Sequence, residues 1–348
     1  MREVRIDNHP PMILPPYSAD AARYDEGKML YRRAGRSGVL LPEISLGLWH
    51  NFGDEAPLSR SREMLHFAFD NVITHFDLAN NYGPSYGSAE QTFGQVMKHS
   101  FAPYRDELFI STKAGYDMWP GPYGNWGSRK YLMASLDQSL RRMNLDYVDL
   151  FYIHRYDPET PVEETLRALV DIVRSGKALY VGISRWPVDE LRKGMAYLDE
   201  HECHCLLLQD RINILDRTPN TLASLEAVRE AGTGFIAFSP LAQGLLTSRY
   251  LSGEIPAGSR AAADKFLHPS SLTPEMLTTL RTLNGIAEQR GETLASMALA
   301  WVLAQPGVTS VIVGASSTAQ LATNLAAAKS APFTPEQLAA IDAACGKL

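Results

Sequence analysis

Cysteine is nearly absent from this 348-residue chain, which has only Cys203, Cys205 and Cys345. An odd, sparse set of thiols excludes a disulfide framework and fits a reducing compartment, so a cytoplasmic protein is expected. Two of the three lie in His201-Glu202-Cys203-His204-Cys205. That spacing is wrong for a zinc pair and no second Cys/His pair stands elsewhere, so no metal is expected. The run reads as a helix end passing into a strand. Also missing is any apolar run near the ~20 residues that cross a bilayer. The N-terminal MREVRIDNHPPMILPPYSAD is broken by prolines and has no signal-peptide core. Residues 1–28 therefore read as a flexible leader. Basic excess is missing too: 33 Lys and Arg against 39 Asp and Glu leave a net charge of −6. Nothing in that balance points to nucleic acid or an anionic membrane as partner. Finally, no G-x-G-x-x-G follows a strand, so a Rossmann dinucleotide site is not on offer.

What is present is a globular composition, 45% apolar and 21% charged. Residues 29–33 and 39–41, joined by Gly35-Arg36-Ser37-Gly38, read as a hairpin. Beyond it, short apolar runs at 44–48, 73–76, 108–112, 148–153, 179–183, 205–208, 235–238 and 310–313 read as buried parallel strands. Helical patterns alternate with them at 61–69, 88–98, 129–143, 161–174, 188–197, 221–230, 274–290 and 319–329. Thr160-Pro161 and Thr273-Pro274 read as cap-plus-first-turn signals. Ser88 reads as an N-cap with Gln91 as its capping-box partner. Eight strands alternating with eight helices is the count of a (β/α)8 TIM barrel. With no linker or composition break, 1–348 reads as one domain. Two features exceed a plain barrel: a long Gly/Pro/Ser/Arg-rich loop after barrel strand seven, from Phe238 to about Thr273, and an extra C-terminal helix at 335–345.

The chain is organised around ITHFDLANNYGPSYGSAE, residues 73–90. Asp77 ends a strand there and Tyr82 follows in a polar turn. On its own this stretch fits a turn cap and a packing residue better than it fits chemistry. The next strand ends change that balance. Strand three delivers Lys113 after Ser111-Thr112, and strand four delivers His154. A parallel barrel brings all of these to its C-terminal face. An acid, an amine, a phenol and an imidazole together can protonate a carbonyl oxygen while hydride reaches its carbon. The ammonium is expected to lower the phenol from its reference pKa of about 10. Asp77 would keep Lys113 charged and aligned, and His154 would orient the carbonyl. No side chain can supply the hydride, so a cofactor must. A Schiff-base role for Lys113 is opposed by Asp77, because that chemistry needs a neutral amine.

FDLANNYG, STKAG, FYIHR, VGISRW, FSPLAQGLL and VGAS…Q…N stand in the order seen in the aldo-keto reductase superfamily. From about Tyr31 to Ile341 the chain resembles it. The likeness is greatest to the branch holding bacterial L-glyceraldehyde 3-phosphate reductases and voltage-gated potassium channel β subunits. The resemblance implies Asp77, Tyr82, Lys113 and His154 as a catalytic tetrad, with Tyr82 as general acid. It also implies NADPH/NADP+ bound across the C-terminal face and reduction of a small carbonyl substrate. Ser184 and Gln209 would hold the carboxamide and Phe238 would stack on the nicotinamide, with Trp49 and Arg185 as further cofactor contacts. Ser239, Pro240, Leu241 and Gly244 would line the pyrophosphate, and Arg249 and Arg260 would meet its charge or a 2′-phosphate. Gly314, Ser316, Gln320 and Asn324 would take the adenosine end. Trp49, His50, Tyr116, Trp119 and Trp126 would wall the substrate pocket. Arg129, Lys130, Arg155 and Arg185 are candidates for a substrate phosphate. Three positions depart from the branch: Arg249 replaces Lys, Thr323 replaces Glu, and QDRIN at 209–213 lacks the usual aromatic. Channel subunits typically carry Asn where His154 stands, which makes a cofactor-sensing regulatory subunit the alternative. The branch commonly forms tetramers or octamers, so a homo-oligomer is expected.

Overall fold

The computed structural model describes residues 16–25 and 27–346. A short antiparallel hairpin, β1 (Tyr31–Arg33) and β2 (Leu40–Pro42), precedes eight parallel strands. These are β3 (Ile44–Gly47), β4 (His75–Asp77), β5 (Phe109–Ala114), β6 (Val148–Ile153), β7 (Ala178–Ser184), β8 (Cys205–Arg211), β9 (Gly234–Phe238) and β10 (Val308–Val313). They pair in chain order, and β10 closes on β3 with Val311 opposite Ile44. The fold is the expected (β/α)8 barrel.

Helices cover it: α1 (Leu58–Asp70), α2 (Ser88–Val96), α3 (Arg129–Met143), α4 (Val162–Arg174), α5 (Val188–Glu200), α6 (Pro219–Ala231), α7 (Pro274–Gln289), α8 (Leu294–Leu303), α9 (Thr318–Leu325) and α10 (Pro335–Cys345). One of these has no counterpart in the sequence reading. All ten residues of α8 are buried, so it shows no polar face and no amphipathic period to read. The metal-like run 201–205 bridges the end of α5 to the start of β8, where His201 Nδ1 bonds Tyr197 O and His204 Nδ1 bonds Asp199.

Two expected caps are corrected. The residue before α2 is Gly87, in the left-handed region at φ 88°, so Ser88 is the first helical residue and makes no capping box. Thr160 spends its hydroxyl on Asp157 Oδ2 at 2.6 Å, and Pro161 stands at the N-cap of α4 without a side-chain cap. Thr273 does cap α7, accepting from Met276 N. The expected helix at 88–98 ends sooner, at Val96, and passes into a wide turn at Met97–Phe101.

Part of the expected leader is tied to the barrel. Tyr17 stacks on His66 with 3.7 Å between ring centroids and donates to Asp70, while Arg23 pairs with Glu107. Residues 1–15 lie outside the described part. The hairpin caps the N-terminal end of the barrel: Arg36 N donates to Gly232 O at 2.7 Å, and Arg32 reaches Glu43 and Leu303 O. Its Ala34 and Leu41 pack with Leu150, Tyr152, Leu207, Ile236 and Ile312 as an inner apolar cluster. A larger core lies between strands and helices. With that end closed, the opposite mouth is free for chemistry.

Candidate active site

Asp77 is the last residue of β4, Lys113 the penultimate residue of β5, and His154 the residue after β6. Tyr82 is brought in by the turn beyond Asp77. Leu78 N donates to Ser111 O and Asn80 N to Lys113 O, which holds the start of that turn against β5. Tyr82 O then accepts from Ala89 N at the start of α2. Gly83, at φ 99°, turns the chain where a Cβ would collide with Ser88.

Lys113 is fully buried, and its Nζ donates to Asp77 Oδ2 at 2.6 Å, to Leu78 O at 2.6 Å and to the Tyr82 hydroxyl at 3.3 Å. Three donors meet three acceptors, so the ammonium is saturated. The other carboxylate oxygen of Asp77 accepts from Ser111 Oγ at 2.8 Å and Gln209 Nε2 at 3.1 Å. A buried ion pair is tolerable only with such completed bonding. His154 meets Tyr82 edge-on, 5.9 Å between centroids, and Tyr116 at 4.7 Å. The structure therefore brings all four predicted side chains together.

Electrostatics at the phenol run opposite to the expectation. Burial, with Asp77 and Tyr116 beside it, holds Tyr82 well above the ordinary phenol range. The reason is that the Lys113 charge is largely cancelled by Asp77, leaving desolvation to decide. Burial also lowers Lys113 from the ordinary lysine range, with Asp77 opposing. Burial and the nearby cations Lys113, Arg185 and Arg155 push His154 well below the ordinary histidine range. At neutral pH the site presents a protonated phenol and a neutral imidazole.

A polar floor beneath this group was not singled out from sequence. His75 is wholly buried, with Nδ1 2.8 Å from Ser45 Oγ and Nε2 3.0 Å from Ser111 Oγ. Ser45 in turn lies 2.7 Å from Ser310 Oγ. Because Ser111 donates to a carboxylate, it must accept from His75, which places the imidazole proton on Nε2. Ser45 must then donate to Nδ1. The chain of donors points one way, toward Asp77. Buried polar residues on four strands were the available signal, hidden in runs that read as ordinary buried strands.

The predicted cofactor residues lie along an arc from β7 to β10. Ser184, 1% exposed, has a hydroxyl with no partner. After β9, where Phe238 is half-buried and Pro240 buried, Ser239 (φ 52°), Ala242 (φ 46°), Gln243 (φ 59°) and Gly244 (φ 101°) are left-handed. Ser239, Leu241 and Gly244 share a turn in which Gly244 N donates to Leu241 O. Such turns expose amides that cradle anions. Arg249 is exposed, and Arg260 bonds Gln243 Oε1 and lies 5.8 Å from the Trp49 ring. At β10, Gly314 is open, Ser316 and Gln320 bond each other, and buried Asn324 Nδ2 lacks a partner. Orphaned polar atoms, an amide cradle and two arginines fit a nucleotide. Phe266, unpredicted, folds from the long loop onto Trp49 (4.6 Å) and His50 (4.9 Å).

The remaining candidates divide. Arg185 donates to the Tyr116 hydroxyl at 3.0 Å, Arg129 pairs with Asp171, and Lys130 lies over Tyr123. Trp119 packs on Tyr131 and Trp126 on Arg155. Among the described residues no helix is long and apolar enough to cross a membrane.

A barrel mouth carrying this tetrad belongs to a carbonyl oxidoreductase, and the chain matches the Aldo/keto reductase family over residues 43–345. It belongs to that family, whose members use nicotinamide cofactors. Over 328 residues, 93% of this chain and 94% of the relative, it is 53% identical to an L-glyceraldehyde 3-phosphate reductase of Escherichia coli O157:H7. Over 321 residues, 90% of this chain and 96% of the relative, it is 34% identical to a probable voltage-gated potassium channel subunit beta of Oryza sativa subsp. japonica. An Arabidopsis thaliana protein of the same description is 33% identical over 310 residues, 88% of this chain and 93% of the relative.

Proposed function

We propose that the protein reduces small aldehydes with NADPH, glyceraldehyde 3-phosphate among them, and that Tyr82 delivers the proton. The observation that carries this is the Tyr82 hydroxyl 3.3 Å from the Lys113 ammonium, itself locked on Asp77. Lys113 donates to the phenol oxygen, so the phenol's own proton is free for a carbonyl oxygen. As that proton leaves, negative charge grows on an oxygen already bonded to a cation, where a fixed donor is most effective. Neutral His154 would hold the carbonyl in line. The cofactor, when bound, supplies the hydride. Ser184 and Gln209 are suited to its carboxamide, Phe238 to its ring, and the 239–244 turn to its pyrophosphate. Arg249 and Arg260 form no carboxylate pair among the described residues, which suits a 2′-phosphate and so NADPH.

The 53% identity to a reductase named for glyceraldehyde 3-phosphate supports that substrate. A cofactor-holding regulatory subunit is the second reading, favoured by the 34% identity to a channel subunit. It has no use for the assembled proton donor. Steady-state NADPH oxidation with glyceraldehyde 3-phosphate, glyceraldehyde and methylglyoxal separates the two. Tyr82→Phe should lower turnover by about 10²–10⁴-fold while the fold persists. Near wild-type turnover by that variant would remove the phenol from the mechanism.

A further inference from the structure

Two arginines stand on adjacent strand ends beside the catalytic imidazole. Arg155 follows His154 beyond β6, and Arg185 follows Ser184 at the end of β7, with Ile153 opposite Ile183 in the β6–β7 register. Both touch Tyr116, whose ring meets His154 edge-on at 4.7 Å. The Arg155 guanidinium is sandwiched, 4.3 Å from the Tyr116 centroid and 3.5 Å from that of Trp126. Its Nε donates to Gly115 O and its Nη2 to Asn125 Oδ1, each at 2.8 Å. Only Nη1 is left without a protein acceptor among the described residues. Arg185 donates Nη1 to Tyr116 Oη from a left-handed backbone at φ 56°, a conformation uncommon outside glycine.

We propose that Arg155 and Arg185, spaced by Tyr116, recognise the phosphate of a phosphorylated aldehyde whose carbonyl lies at His154 and Tyr82. This rests on the aldehyde-reductase reading above. Charge is the first argument. Neither guanidinium forms an ion pair with a carboxylate among the described residues, whereas Arg129, Arg142 and Arg211 are each paired within 2.7 Å. Asp117, Asp157 and Asp210 lie in electrostatic reach, yet none forms an ion pair or hydrogen bond with either guanidinium. Asp157 accepts from Gly127 N, Glu159 N and the Thr160 hydroxyl, and Asp210 from Arg211 N. Both guanidiniums are therefore without a contacting carboxylate among the described residues.

Reach is the second argument. From carbonyl carbon to phosphorus, a three-carbon phosphorylated aldehyde spans about 5 Å. Tyr116 contacts both ends, its centroid 4.7 Å from that of His154 and 4.3 Å from the Arg155 guanidinium, with Arg185 on its hydroxyl. The fixed edge of Arg155 is the third. A guanidinium already immobilised loses little entropy on binding and offers charge-assisted donors to a dianion. Arg129 and Lys130, the other basic candidates of the same face, are committed elsewhere to Asp171 and Tyr123.

The test is the ratio of kcat/KM for glyceraldehyde 3-phosphate to that for glyceraldehyde, in wild type, Arg185→Ser and Arg155→Gln, with NADPH affinity measured beside it. Arg185 is exposed, so its variant stays informative if Arg155→Gln loosens the aromatic sandwich. The expected result is a fall in the ratio of about 10- to 100-fold in either variant, the loss of one charge-assisted bond. An unchanged ratio in both, with both aldehydes still reduced, overturns the phosphate site and leaves the reductase reading standing. A loss of NADPH affinity with the ratio intact also overturns it and returns Arg185 to the cofactor. A wild type that oxidises NADPH with neither aldehyde overturns the reductase reading itself.

Discussion

The floor of the barrel and the cleft above it are built on opposite principles. In the floor, Ser45, His75, Ser111, Asp77 and Lys113 are each at most 1% exposed, and each side chain is hydrogen-bonded to the next. In the cleft, His154 Nδ1, Ser184 Oγ and Asn324 Nδ2 are buried without partners, and the 239–244 turn holds three non-glycine residues at positive φ. A buried unpaired polar group costs about 1–3 kcal/mol, a cost that a ligand meeting these three atoms would relieve. The hydrogen bonding of the floor is complete in the free protein. That of the cleft is not.

The sharpest way to break that contrast is to remove the centre of the floor. Lys113→Met strands the Asp77 carboxylate in the interior with only Ser111 and Gln209 as donors. The expected cost is about 3–5 kcal/mol of stability, read as a lower urea midpoint, and Asp77→Leu in the same chain should recover most of it. A Lys113→Met protein unfolding at the wild-type midpoint would mean that the floor is not one cooperative unit.

Acid tests the same region with less force. Burial, opposed by Asp77 and helped by Lys113, lowers His75 from 6.5 to about 4. The unfolded chain therefore takes up this proton first. Stability from neutral His75 is complete above the unfolded value, near pH 6.5, and is lost as pH falls toward 4. The loss is about 3 kcal/mol over that interval. Urea midpoints measured from pH 7 to pH 4 should fall accordingly, and His75→Gln should flatten that part of the profile. A wild-type profile already flat there would place His75 in contact with water.

Much of this was legible in the residues, for definite reasons. Strand ends are legible because a parallel barrel sends every one to the same face, so Asp77, Lys113 and His154 could be brought together without coordinates. The direction of the Tyr82 shift was not legible. It depends on how far Asp77 cancels Lys113 and how dry the hydroxyl is, and neither is a property of spacing. Helix α8 escaped because a helix buried on every side has no period to detect. The cap at Thr160 was misread because a hydroxyl chooses its partner in three dimensions, and Asp157 lay closer to hand. His75 looked like one more strand residue, since the serines that bond it come from β3 and β5, at Ser45 and Ser111.

The smallest effects distinguish floor from cleft most cleanly, because one substitution can be made in each. Ser111→Ala removes a donor to Asp77 and leaves the His75 Nε2 proton without its acceptor, which should cost about 1–3 kcal/mol. Ser184→Ala removes a hydroxyl that bonds nothing in the free protein, so its urea midpoint should stay within about 0.5 kcal/mol of wild type. Its effect should instead appear on ligand binding, as NADPH affinity weaker by about two- to tenfold, the worth of one neutral hydrogen bond. Urea denaturation and a fluorescence titration with NADPH give both numbers for both variants. If Ser184→Ala lost stability as Ser111→Ala does, its hydroxyl would have a partner in the free protein, and the division between a finished floor and an unfinished cleft would fail at the residue that best expresses it.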